Sequence, residues 1–187
     1  MKKNMKKKYI FLTISTLLAL AICLCACNQA KDFATYSDNM NKSMNDVKTL
    51  VSTLSVFDGD TLVYEYQRNV TIDGSNATLE ITEKKLNANF RLESNTTTEQ
   101  KSGVEKSTLL PLSLSESSAQ NFNANANGFS CEIPEGDFAS VFKLGSYDID
   151  GNAALDCAFS GDKLTNINCG FKLKDGKTVK LAYVYNY

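Results

Sequence analysis

Six cysteines, 21 acidic residues and no histidine bound the chemistry open to this chain of 187 residues. Without an imidazole there is no histidine general base, no histidine metal ligand and no Ser-His or Cys-His nucleophile pair. The thiols fall into an N-terminal trio, Cys23, Cys25 and Cys27, and a distal trio, Cys131, Cys157 and Cys169. The distal trio contains no C-x-x-C pair, so no metal site is expected from it. Paired carboxylates can cleave glycosides without histidine, but spacing singles out no pair among the 21. Asp148-Ile149-Asp150-Gly151-Asn152 would open a calcium loop only with glycine sixth and glutamate twelfth, where Ala153 and Phe159 stand. Its Asp-Gly step is expected to be a hairpin turn instead. Phosphate-cradling glycine patterns are absent, and Ser37-Asp38-Asn39 lacks the Ser-x-x-Lys and Lys-Thr-Gly partners of an acyl-transfer site. No catalytic residue and no cofactor is expected, and binding ranks above catalysis.

The N-terminal trio has a different setting. Lys2, Lys3, Lys6, Lys7 and Lys8 precede an uncharged run from Tyr9 to Ala26, the order of a secretory signal. Such a run could also just span a bilayer uncleaved, but Thr13, Ser15 and Thr16 interrupt it and it ends in a processing-type sequence. That ending, Leu24-Cys25-Ala26-Cys27, resembles the lipobox of bacterial lipoproteins. The resemblance covers residues 1–27 and implies that Leu24 fills the apolar slot and Ala26 the small one. It implies cleavage between Ala26 and Cys27 and a diacylglycerol on the Cys27 thiol. Cys25 departs from the usual small residue, and Ile22 and Leu24 make Cys23 and Cys25 poorer acceptors. The expected product is a protein lipid-anchored to the cell membrane on its extracytoplasmic face, with a tether over residues 27–31 and one domain over 32–187.

Five of the twenty basic residues, and none of the acids, lie before Cys27, which leaves fifteen against 21. A mature charge of −6 provides no basic stripe for a phosphate backbone, so nucleic acid is not expected as a partner. It also gives no attraction to anionic lipid, so the anchor and not the surface would hold the domain at the membrane.

The elements that would position a site follow from periodicity. Phe33, Tyr36, Met40, Met44, Val47, Val51 and Leu54 recur at helical spacing, predicting an amphipathic helix from Asp32 to Ser55, stopped by Asp58-Gly59. Leu62, Tyr64 and Tyr66 alternate with polar residues, as do Ala77, Leu79 and Ile81 after the turn Asp73-Gly74-Ser75-Asn76. A turn near Glu83–Lys85 should then lead into a strand through Leu86, Ala88, Phe90 and Leu92. A loop is expected at Asn95–Gly103 and a strand at Val104–Leu112. Ser113–Gly128 fits either a weak strand or a loop with a short helix. Pro134 to Gly145 has the order of a short helix, with a strand at Ser140–Leu144 as the competing reading. Asp150-Gly151, Gly161-Asp162 and Asp175-Gly176 delimit three terminal strands near Ala153–Ser160, Leu164–Lys174 and Thr178–Tyr187.

The expected fold is α+β, a long N-terminal amphipathic helix packed on a curved antiparallel β-sheet. This element order resembles the half-barrel-plus-helix fold of the lipoprotein-carrier superfamily, an analogy of architecture alone. Cys157 and Cys169 fall in the apolar phase of neighbouring strands; a disulfide between them and two buried thiols both fit. The leading function is a tethered, non-catalytic module for an apolar ligand such as lipid. Its expected lining is Phe33, Tyr36, Met40 and Met44 on the helix and Tyr64, Tyr66, Phe90 and Tyr183 on strands. Ordinary core packing is the competing reading of those rows. The alternative function is a surface protein with a filled core that recognises another envelope protein or a glycan.

Overall fold

The structure, a computed structural model, describes residues 31–142 and 147–187. The expected signal peptide, the acceptor Cys27 and the tether as far as residue 30 lie outside those residues. Helix α1, Phe33–Ser43, begins at Asp32, whose carboxylate accepts the Thr35 amide at 2.8 Å, satisfying one of the donors a helix start leaves open. One 3-10 turn, Met44–Asp46, follows. The predicted helix to Ser55 is corrected here, because strand β1 occupies Thr49–Asp58. Thr49, Val51, Thr53 and Val56 are β-branched and favour the extended chain, and β1 has a pairing partner on each side.

Of the nine strands among the described residues, five, at 61–73, 76–86, 149–160, 163–173 and 178–186, fall where strands are expected, and 120–125 takes the strand alternative for Ser113–Gly128. The nine run β1, β2 (Thr61–Asp73), β3 (Asn76–Leu86), β4 (Leu92–Lys101), β5 (Gln120–Asn125), β6 (Gly128–Ile133), then the short helix α2 (Phe138–Val141), β7 (Ile149–Ser160), β8 (Lys163–Leu173) and β9 (Thr178–Asn186). All pair antiparallel in one curved sheet of order β4-β3-β2-β1-β9-β8-β7-β6-β5. The chain therefore lays down two meanders, β1–β4 and β5–β9, and β1 joins them by pairing with β9, Leu50 opposite Tyr185. The described residues are mostly sheet with few helices.

Four further expectations are corrected. Asp150-Gly151 lies inside β7, where the register shifts and Gly151 takes φ +78°, a bulge and not a hairpin turn. The strand expected through Phe90 is a turn. There the Asn87 side-chain oxygen accepts the amides of Asn89 and Arg91 at 2.9 and 3.0 Å, and Phe90 sits at φ +56°. The expected loop at Asn95–Gly103 is mostly β4, an edge strand whose every residue is exposed. Its three threonines, Thr96–Thr98, suit the extended chain, and the Thr82 and Thr96 hydroxyls meet at 3.0 Å. The expected strand at Val104–Leu112 is a strap with a 3-10 turn at Lys106–Leu109. It is held by Lys106 Nζ donating to Asn45 O at 2.6 Å and Tyr185 Oη donating to Leu109 O at 3.1 Å.

One face of the sheet carries the core. Over the β5–β9 meander, α1 brings Tyr36 against Phe129 and Phe159, ring centres 5.3 and 4.8 Å away. Ser43 Oγ accepts the Leu164 amide at 3.0 Å. At the other end α2 stacks Phe138 on Phe142 and sets it edge-on to Phe171, at 4.9 and 4.6 Å. Leu155, Ile167, Leu164 and Val179 are fully enclosed beneath these covers.

Candidate groove at Arg68

The register aligns one row across the sheet at the end of the strap: Ile81 on β3, Arg68 on β2, Ser52 on β1 and Tyr183 on β9. The next row holds Glu83, Tyr66, Leu54 and Leu181, and the preceding one Leu79, Val70, Leu50 and Tyr185. Residues directly opposite in an antiparallel pair share a face, so Arg68 stands among apolar and aromatic side chains on the core face. On its strap side, Val70 and Leu79 are buried. On the other side, Leu54, Tyr66 and Ile81 are only half-buried. The cover therefore stops at Arg68.

Two clefts meet at this residue. The larger, about 470 Å³, has Arg68, Val70, Ala77 and Leu79 as its floor and Val104, Thr108 and Leu109 of the strap among its walls. The smaller, about 110 Å³, is bounded by Ser52, Leu54, Tyr66, Leu181 and Tyr183. The larger volume is within the range of small-molecule sites. A further cleft of about 430 Å³ at the β2–β3 turn is lined by short polar side chains and Lys101 and lacks comparable apolar walls.

Arg68 Nε is buried and has no hydrogen-bond partner. Leaving a buried donor unsatisfied costs about 1–3 kcal/mol, and more when the group is charged. None of the ion pairs among the described residues includes Arg68. Glu105 of the strap lines the larger cleft with Arg68 and forms no ion pair with it, and acids on the sheet face are engaged elsewhere. Glu83 accepts the Tyr64 hydroxyl at 2.9 Å and pairs with Lys85 at 3.0 Å, and Glu99 pairs with Lys101 at 3.8 Å. The Tyr183 and Tyr185 phenols beside the guanidinium stay protonated at neutral pH. Burial pushes Tyr183 up to about 12 and raises Tyr185 as well, and the Arg68 cation opposes both shifts. Tyr64 is pushed up to about 12 by burial and by its hydrogen bond to Glu83.

The eight expected lining residues do not converge. Tyr36, Met40 and Met44 are 1%, 2% and 1% exposed under α1 and its 3-10 turn, and Phe33 packs edge-on to Phe122 at 5.6 Å, all over the other meander. Tyr66 and Tyr183 flank Arg68 in the smaller cleft. Tyr64 lies one row beyond Tyr66, and Phe90, 84% exposed, lines nothing. Arg68 itself escaped the sequence reading, although its signal was present. It occupies the apolar phase Tyr64, Tyr66, Arg68, Val70, Ile72 of a strand whose alternate positions are polar after Val63.

Cys131, Cys157 and Cys169 are free and buried. Cys157 faces Ile167 and Cys169 faces Leu155. The pair is thus diagonal, at a spacing of about 7–8 Å between such neighbours, longer than a disulfide spans. Among the described residues no group of three metal-ligating side chains comes together, and no helix is long and apolar enough to cross a membrane. The chain matches no protein-family model and no curated protein sequence.

Proposed function

We propose that this chain is a lipid-anchored extracytoplasmic lipoprotein whose domain is a non-catalytic binding module for an apolar ligand such as a lipid. The anchor reading rests on the lipobox-like Leu24-Cys25-Ala26-Cys27. The observation that carries the binding reading is the place where the core face loses its cover. There, half-buried Leu54 and Tyr66 bound the cleft of about 110 Å³, and across Arg68 the cleft of about 470 Å³ has an apolar floor of Val70, Ala77 and Leu79. The chain has no histidine, and the reading is of a ligand held without being transformed. This ligand face lies beside the strap and not between α1 and the sheet.

Two measurements test the two parts. Full chain exported by a bacterial host should enter the detergent phase on phase separation, and Cys27→Ala should move it to the aqueous phase. Retention of the variant in detergent would mean a membrane span. Wild type should take up a fluorescent fatty acid, and Thr108→Trp, which fills the larger cleft from an exposed wall position, should abolish uptake with the urea midpoint unchanged. Absence of wild-type uptake refutes the lipid reading. The second reading, recognition of another envelope protein, is favoured by β4, an exposed ten-residue edge strand. An extended partner segment could add there as a tenth strand.

A further inference from the structure

We propose that the ligand of this groove is a single-chain amphiphile with an anionic head, a carboxylate or phosphate monoester held by Arg68, its chain lying in the larger cleft over Val70, Ala77 and Leu79. The proposal rests on the reading of the open face as the ligand face and names the ligand's chemistry. Three observations carry it together. Arg68 is a half-buried cation whose Nε is enclosed and unpartnered. The acids nearest it in register, Glu83 and Glu99, already hold Tyr64, Lys85 and Lys101. The guanidinium stands where the two clefts meet, apolar floor on one side and the Ser52, Tyr66 and Tyr183 side chains on the other.

A planar guanidinium offers five donors in a fork that fits an oxyanion in two-point contact. An anion at Arg68 would neutralise the half-buried charge and offer an acceptor to the unpartnered Nε. A neutral lipid would fill the cleft and leave that defect in place. The geometry therefore favours an amphiphile whose charged end stops at Arg68 and whose chain turns under Leu109.

The chain has two arginines, Arg68 and Arg91, and this makes a direct readout available. Arg91 lies in the exposed turn beside Phe90 and serves as the internal control. The full chain, in nanodiscs of zwitterionic phosphatidylcholine, is titrated with decanoate, decyl phosphate, decanol and inorganic phosphate. Arginine Nε–Hε NMR signals are followed, and affinities are corrected for partition into empty discs. Decanoate or decyl phosphate should shift the Arg68 signal and leave Arg91 in place, and should bind at least about tenfold more tightly than decanol, equivalent to about 1.4 kcal/mol. The stronger of the two anions assigns the head as carboxylate or phosphate. Arg68→Met should remove the preference over decanol, and Arg68→Lys should keep part of it. Decanol binding as tightly as the anions, with Arg68 unmoved, overturns this inference and leaves the apolar-ligand reading standing. Inorganic phosphate acting as strongly as decyl phosphate also overturns it, because the chain would then contribute nothing. Failure of all four to bind overturns both readings.

Discussion

Strands β7 and β2 belong to one sheet, yet they meet opposite surroundings. Along β7 beyond its bulge, Ala153, Leu155, Cys157 and Phe159 are buried and their neighbours exposed, strict alternation under a complete cover. Along β2, every residue from Leu62 to Asn69 is half-buried, and only Val70, beneath the strap, is enclosed. The difference lies in what sits above the sheet and not in the strands' own apolar content. Helices α1 and α2 close the β5–β9 meander, whereas the strap reaches the β1–β4 meander at one end only. One half can thus carry stability while the other keeps an apolar face for a ligand, and a rigid support beneath a site is what precise binding requires.

The largest expected effect separates the two halves by truncation. Phe138→Ala in the closed half should cost about 3–5 kcal/mol, since it removes a ring enclosed by Phe142 and Phe171. Ile81→Ala, half-buried on the open face, should cost about 1 kcal/mol, toward the small end for lost packing. Urea midpoints of the two variants check this, and equal losses would erase the distinction between the halves.

Overpacking should come next. A Cβ at Gly128 would lie 2.0 Å from the Cys157 carbonyl oxygen across the β6–β7 pair, backbone that cannot simply turn aside. Gly128→Ala should therefore destabilise by about 1–3 kcal/mol, and so should Met40→Trp beneath α1. If Met40→Trp instead left the urea midpoint unchanged and blocked fatty-acid uptake, the closed half would hold the ligand and the comparison would reverse.

The same contrast explains what could be read from the amino-acid order. Strands β7 to β9 were legible because a fully covered face forces apolar and polar residues to alternate, as in Val179, Leu181, Tyr183 and Tyr185. β1 was not, because Val51 and Leu54 satisfy the helical spacing begun at Phe33, and the partner that decides the matter, β9, lies at the far end of the chain. β4 was illegible for the opposite reason: exposed on both faces, it carries no apolar pattern and is a strand through its backbone ladder with β3. Half of the candidate groove, Tyr66 and Tyr183, was visible as aromatic residues in phase. Arg68 was hidden because a single cation in an apolar row resembles the end of a strand until the register shows what surrounds it.

The buried thiols give a kinetic test of the closed half. Burial pushes Cys131 and Cys169 up to about 12 and Cys157 well above its usual range, and only the thiolate reacts readily. In folded protein at pH 8, a thiol reagent should label these three slowly, at the rate of local opening, and in urea all three should react at once. Rapid labelling of Cys157 in native conditions would show that the cover over β7 opens freely, as expected of the other half.

The smallest effect concerns the start of α1, the cover itself. The hydrogen bonds from Thr35, side chain first and backbone second, hold the Asp32 carboxyl below its ordinary 3.8. A lowered folded value means that the charged form is favoured in the native state, so the stability it adds is fully present above pH 3.8 and is lost as pH falls through the lowered value. Asp32→Asn preserves the capping acceptor and removes only the charge at the helix start. Wild type should therefore show a slightly higher urea midpoint than Asp32→Asn at pH 7, and the two should converge as the solution is acidified below pH 3.8. A difference that stays constant with pH would assign the gain to the shape of the cap alone. Convergence would show that the closed half is held in part by a charge at the edge of its cover.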